Sequence, residues 1–146
     1  MNTHLRLVLA DKGTVVHTIR PNESIYDAAR VMTDRRVGCL LVLNGQRLIG
    51  LISERDVLVR VVGEGREPRS IAVADVMLAD PAVVAPNDSI GDAMRLMTDR
   101  RTRHLPVVDE GRLVGLVSIG DLTRWMTENL KIEVANLHSY ITGSYA

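Results

Sequence analysis

The residues best placed to do chemistry in this chain come as two short boxes, Ser53-x-x-Asp56 and Ser118-x-x-Asp121. In each, a hydroxyl and a carboxylate stand three residues apart where an apolar run gives way to a helical pattern. At a helix start this spacing lets the hydroxyl accept from an orphan backbone N–H and sets the acid against the positive helix end. The same place suits an outside ligand. Free N–H groups welcome phosphate, and an ionised carboxylate accepts two hydrogen bonds from a ribose diol. Cations suited to phosphate oxygens are near in sequence, Arg55 within the first box and Arg101, Arg103 and His104 ahead of the second. Helix cap and ligand contact therefore both stay open as readings of the boxes, and one helix end can serve both. The basic residues have a plainer reading as a solvated surface patch.

The elements that must position these boxes belong to an internal duplication. Residues 21–57 return as residues 86–122 at a constant spacing of 65 without a gap, with about half of the paired positions identical. Pro21-Asn22-Glu23-Ser24-Ile25 matches Pro86-Asn87-Asp88-Ser89-Ile90, and Met32-Thr33-Asp34-Arg35-Arg36 matches Met97-Thr98-Asp99-Arg100-Arg101. Two copies make a paired unit and not a solenoid, which needs at least three. Within each copy the local signals repeat in order. Ser24-x-x-Asp27 and Ser89-x-x-Asp92 open a helix, and Ile25, Ala28, Ala29 and Met32, like Ile90, Ala93, Met94 and Met97, recur at core spacing. Residues 39–43 and 104–108 read as buried strands. Asn44-Gly45 and Asp109-Glu110-Gly111 supply hairpin turns to the returning strands 47–52 and 112–117. Pro106 has no N–H for a ladder, so its strand must lie at an edge or be irregular there. Each copy thus reads strand, helix, strand, strand, helix, an α/β (α+β) arrangement.

The flanks divide the 146 residues further. Residues 1–14 fit a helical lead-in stopped at Gly13, 15–65 hold the first repeat, and 66–125 the second, with 66–80 including a linker rich in turn formers. Residues 126–146 extend the last helix, whose Leu130, Val134, Leu137 and Ile141 fall along one face. That stripe either packs back on the core or pairs with a second subunit.

Composition narrows the classes of function. The formal net charge is zero and aromatic residues are 3%, which argues against a nucleic-acid coat or a base-stacking platform. No apolar run reaches the roughly 18 residues of a membrane span, and the start is too short in its apolar part for a signal peptide. Cys39 is the single cysteine, so no intrachain disulfide can form. A soluble, cytoplasmic protein is expected. Neither a phosphate loop nor a dinucleotide fingerprint is present, the glycine pattern of a nucleophile elbow fails at Leu116, and the four histidines are scattered. The expectation is a protein without catalytic or metal-binding residues.

The tandem pattern resembles a pair of cystathionine-β-synthase-type domains, the CBS pair or Bateman module, from about Val15 to Trp125. Gly50 to Asp56 and Gly115 to Asp121 are similar to the family's ribose-phosphate signature, and Arg103-His104-Leu105-Pro106-Val107-Val108-Asp109 to its second-strand signature. The ending, residues 137–143, is similar to that of small stand-alone members. The resemblance implies a disc-like module in which two pseudo-twofold-related repeats pack through their sheets and leave two clefts for adenine-containing ligands. It implies Asp56 and Asp121 on ribose hydroxyls, Ser53 and Ser118 on ribose or phosphate, and Arg55, Arg103 and His104 on phosphate. Gly38, Cys39, Thr18, Met77 and Val84 would lie near the purine. The clefts should differ, because Gly38-Cys39 stands where Arg103-His104 stands, and Glu54-Arg55 where Ile119-Gly120 stands. The implied function is a homodimeric regulatory sensor of AMP, ADP, ATP or NADH acting on a partner protein and requiring no cofactor. The alternative is a ligand-independent dimeric scaffold using the C-terminal helix.

Overall fold

The computed structural model describes residues 3–143, so the outermost residues of the lead-in and of the C-terminal extension lie outside the described part. Helix α1 spans Leu5–Lys12 and ends where Gly13, at φ 96°, returns its N–H to the Leu9 carbonyl. The first repeat follows as β1 (Thr18–Ile19), α2 (Ile25–Arg35), β2 (Cys39–Asn44), β3 (Arg47–Ser53) and α3 (Glu54–Val57), the last running into a π-turn at Leu58–Val62. A short strand β4 (Leu78–Ala79) precedes α4 (Ile90–Arg100), β5 (His104–Asp109), β6 (Arg112–Ser118) and the 24-residue α5 (Ile119–Thr142).

The repeated sequence makes repeated local structure. Ser24 and Ser89 cap α2 and α4 by accepting the N–H groups of Asp27 and Asp92, at 3.1 and 3.0 Å. Both helices end on an arginine in the left-handed region, Arg36 at φ 56° and Arg101 at φ 52°. Each buries one face: Ile25, Ala28 and Met32 in the first copy, Ile90, Ala93 and Met97 in the second. Ala29 and Met94, which share the apolar pattern, are only half-buried.

The alternation of the central strands then splits the core. Leu40, Val42 and Ile52 face the helices of the first repeat, and Leu105, Val107 and Val117 those of the second. Cys39, Leu41 and Leu51 point the other way and meet Leu48, Leu113, Leu116 and Val16 in a third cluster between the two sheets. The repeats therefore pack through their sheets.

The two caps of this core are crossed. Segment 71–77 closes the first repeat: Ile25 N–H donates to the Ile71 carbonyl and Val73 N–H to that of Glu23. The lead-in closes the second repeat with the same bonds, Ile90 N–H to Thr3 and Leu5 N–H to Asp88. Leu5, Val8 and Leu9 thus enter the second core, while Ile71, Val73 and Val76 enter the first. The close fit repeats as well, because Gly50 gives room to Met77 and Gly115 to Leu9.

The second repeat departs from the strand-first pattern at its start. In the first, β1 runs parallel to β2 and Leu41 N–H donates to the His17 carbonyl at 3.0 Å. The residue 65 further on is Pro106, which has no N–H to give. What remains is a single bridge between Val84 and Val107. The sheets are unequal, β1-β2-β3-β4 against β5-β6: the second also has no counterpart of β4 among the described residues. Beyond Trp125 and Met126, which pack on the second core, α5 leaves the body. Leu130, Val134, Leu137 and Ile141 are 59–74% exposed, so the stripe does not fold back on its own core.

Candidate functional site

Each box sits where the second strand of a hairpin becomes a helix, stitched to the start of the first strand beside it. Cys39 pairs with Ser53 and His104 with Ser118 across the two hairpins. Glu54 N–H then donates to the Gly38 carbonyl and Ile119 N–H to that of Arg103, both at 2.9 Å. Both boxes are complete capping boxes. Ser53 Oγ accepts from Asp56 N–H while Asp56 Oδ2 accepts from Ser53 N–H at 2.9 Å, and Ser118 and Asp121 repeat this with the same 2.9 Å return bond. The cap reading of the sequence is therefore realised in full, and it fixes the orientation of both carboxylates.

These bonds gather Gly38, Cys39, Ser53 and Asp56 at one end of the first hairpin and Arg103, His104, Ser118 and Asp121 at the matching end of the second. Arg55 and Arg103 are exposed and form no ion pair among the described residues. Thr18 lines a cavity of about 540 Å³ with Val16, His17, Val31, Asp34 and Arg35, a volume that suits a small ligand. A second cavity, about 420 Å³, opens between α2 and the start of α3, with Gly38 and Glu54 in its wall. Neither cavity is lined by Ser53, Asp56, Ser118 or Asp121. Met77 is packed against Gly50, and Val84 is buried in the second core. Thr18, Met77 and Val84 thus share neither a hydrogen bond nor one of these cavities with either carboxylate.

The electrostatics of the two ends differ. Lys12, at the end of α1, places its ammonium 2.6 Å from Asp121 Oδ2 and 2.8 Å from the Leu116 carbonyl. Burial alone would raise the Asp121 carboxyl, but the bonds from Lys12 and Ser118 outweigh it and hold the group below its ordinary 3.8. His104 is held below its ordinary 6.5, first by burial, with Asp121 opposing the shift and Lys12 assisting it. The charge of Glu54, from the first repeat, also opposes the shift of His104. Cys39 is 4% exposed, and burial, aided by the negative charge of Asp56, pushes its thiol up to about 12. The Cys39 side chain belongs to the inter-sheet cluster.

Nothing in the sequence singles out Lys12 or Glu54 as a site residue. Lys12 stands outside the repeat, and only the crossed cap carries it to Asp121. Among the described residues no group of three or more His, Cys, Asp and Glu could hold a metal ion. No described helix is long and apolar enough to cross a membrane.

Comparison with known proteins agrees with this architecture. The CBS domain matches the chain twice, over residues 7–63 and 73–128. CBS domain-containing protein CBSX3, mitochondrial, of Arabidopsis thaliana is 38% identical over 129 residues, which cover 85% of this chain and 63% of the plant protein. The solved structure of a CBS-domain protein from Burkholderia ambifaria MC40-6 superposes with a TM-score of 0.81 at 38% identity, covering 85% of this chain and 93% of that one. The CBS-domain structure NE2398 gives the same TM-score at 34% identity, over 86% of this chain and 98% of its own. With two matched domains, a shared fold and a duplicated strand-to-helix box in each half, the chain belongs to the CBS domain family.

Proposed function

We propose that this CBS pair is a regulatory sensor that binds an adenine nucleotide, AMP, ADP, ATP or NADH, and conveys its occupancy to a partner protein. The reading rests on one observation: a hydroxyl, an oriented carboxylate and a helix start recur at equivalent ends of both hairpins, beside Arg55 in one and Arg103 and His104 in the other. Carboxylate for ribose and cation for phosphate are the pairing a nucleotide needs. The module acts by binding and not by turnover. Its compartment in this reading is the cytoplasm, which cell fractionation checks.

Thermal denaturation tests it. A ligand at 100 times its Kd adds about 2.7 kcal/mol to stability, or roughly 5–10 °C in a domain of this size. At least one of the four nucleotides should give that rise, reduced by Asp56→Ala or Asp121→Ala. No shift with any of the four would refute the reading.

The exposed stripe of α5 favours an additional role as the dimer contact, since four large apolar side chains recur on one helical face beyond the core. Truncation after Glu128 should then convert a dimer into a monomer in light scattering while leaving nucleotide binding intact. A monomeric full-length chain, or a truncated chain that is still dimeric, would sink this role.

A further inference from the structure

The two carboxylates of the proposed clefts are not equally free. Asp56 accepts only from Ser53, at 2.9 Å from the N–H and 3.0 Å from the hydroxyl, and forms no ion pair among the described residues. Asp121 carries the Lys12 ammonium at 2.6 Å, and its side chain is only 12% exposed. The contact is built from both sides. Lys12 is the last residue of α1, and α1 is fixed by Leu5, Val8 and Leu9 in the second core. The Leu116 carbonyl, two residues before the Ser118 cap, holds the same ammonium. In the first repeat the crossing segment passes instead into β4, which pairs with β3 and brings no cation to Asp56.

We propose that Lys12 is a specificity-determining residue of the second cleft: it guards Asp121 against neutral ribose diols and admits ligands that offer its ammonium an anion. The inference rests on the nucleotide reading above and deepens it. Asp121 Oδ2 already accepts from Lys12 and from the Ser118 N–H, so a diol that takes this oxygen must displace Lys12, whose side chain is 28% exposed and regains only part of its hydration. A neutral nucleoside leaves that ammonium without a charged partner. A nucleotide brings a phosphate to which the flexible four-carbon stem can swing, so the ion pair is exchanged and not lost. The second cleft therefore prefers phosphorylated over unphosphorylated ligands through Lys12. The first cleft has no such guard.

Isothermal titration of AMP and adenosine tests this in the full chain, with Asp56→Ala introduced to leave the second cleft as the one under observation. Adding Lys12→Met keeps the aliphatic stem and removes the charge, while Lys12→Arg keeps the charge. The ratio of AMP to adenosine affinity should fall about tenfold in the Met variant, chiefly because adenosine binds more tightly, and should be retained in the Arg variant. A ratio unchanged within twofold on Lys12→Met overturns the inference. So does loss of all binding on Asp56→Ala that Lys12→Met does not restore, an outcome that leaves the first cleft's nucleotide reading standing. Absence of AMP binding to the unaltered protein overturns the nucleotide reading itself.

Discussion

Replacing Leu5 by Ala tests the crossed caps on which the position of Lys12 depends. Leu5 is fully buried, and its side chain sits among Ile90, Leu105 and Leu122 of the second repeat and not in the repeat that follows it in sequence. Truncating such a leucine costs about 2–5 kcal/mol, the transfer of the lost carbons plus the cavity left behind. At roughly 2–4 °C per kcal/mol for a domain of this size, a cost near 3 kcal/mol lowers Tm by about 6–12 °C. The equivalent substitution in the other cap is Val73→Ala, also fully buried but in the first core, where a smaller side chain is lost. Hydrogen exchange separates the two. Leu5→Ala should weaken amide protection in α4, β5 and β6, and Val73→Ala in α2, β2 and β3. A Tm change under about 2 °C for Leu5→Ala, or loss of protection confined to the first repeat, would refute the crossed arrangement.

Two further outcomes follow from the site. Asp121→Ala removes a capping-box member and the Lys12 partner, and should cost about 1–2 kcal/mol at pH 7. Because the folded carboxyl lies below its unfolded value of 3.8, that stabilisation is complete above this pH and is lost as pH falls through the folded value; the gap between variant and parent in acid titrations should narrow as pH falls below 3.8, and a gap that stays constant with acid would contradict the ion pair. With the Cys39 thiol pushed up to about 12, alkylation by iodoacetamide at pH 8 should run on the order of a thousandfold slower in the folded than in the unfolded chain, and labelling at comparable rates would contradict its burial.

Much of this structure is legible in the sequence because its signals are local. Helix faces at Ile25, Ala28 and Met32, the hairpin turns and the four serine caps each depend on residues within a turn or two, and the duplication states each of them twice. The capping geometry of Ser53-Asp56 and Ser118-Asp121 was readable for the same reason. The long-range features were not. Leu5, Val8 and Leu9 announce an apolar helix face without saying which core receives it, and nothing in the spacing of Lys12 points to Asp121, 109 residues away. Pro106 signalled an irregular strand, but the consequence, a leading strand reduced to one bridge at Val84, depends on a donor that only its counterpart Leu41 reveals. Likewise, Ala29 and Met94 carry the helical apolar spacing but lie at the margin of the buried face, which periodicity alone does not resolve.

The proposed nucleotide clefts at the two boxes can be tested by counting bound ligand. Native mass spectrometry of the full chain with AMP, ADP, ATP or NADH, set against the Asp56→Ala/Asp121→Ala double variant checked for native circular dichroism, counts bound ligand directly. At least one nucleotide per unaltered chain and none on the double variant are expected; an unaltered chain that stays empty with all four, or a double variant that binds as much as its parent, would contradict the nucleotide clefts.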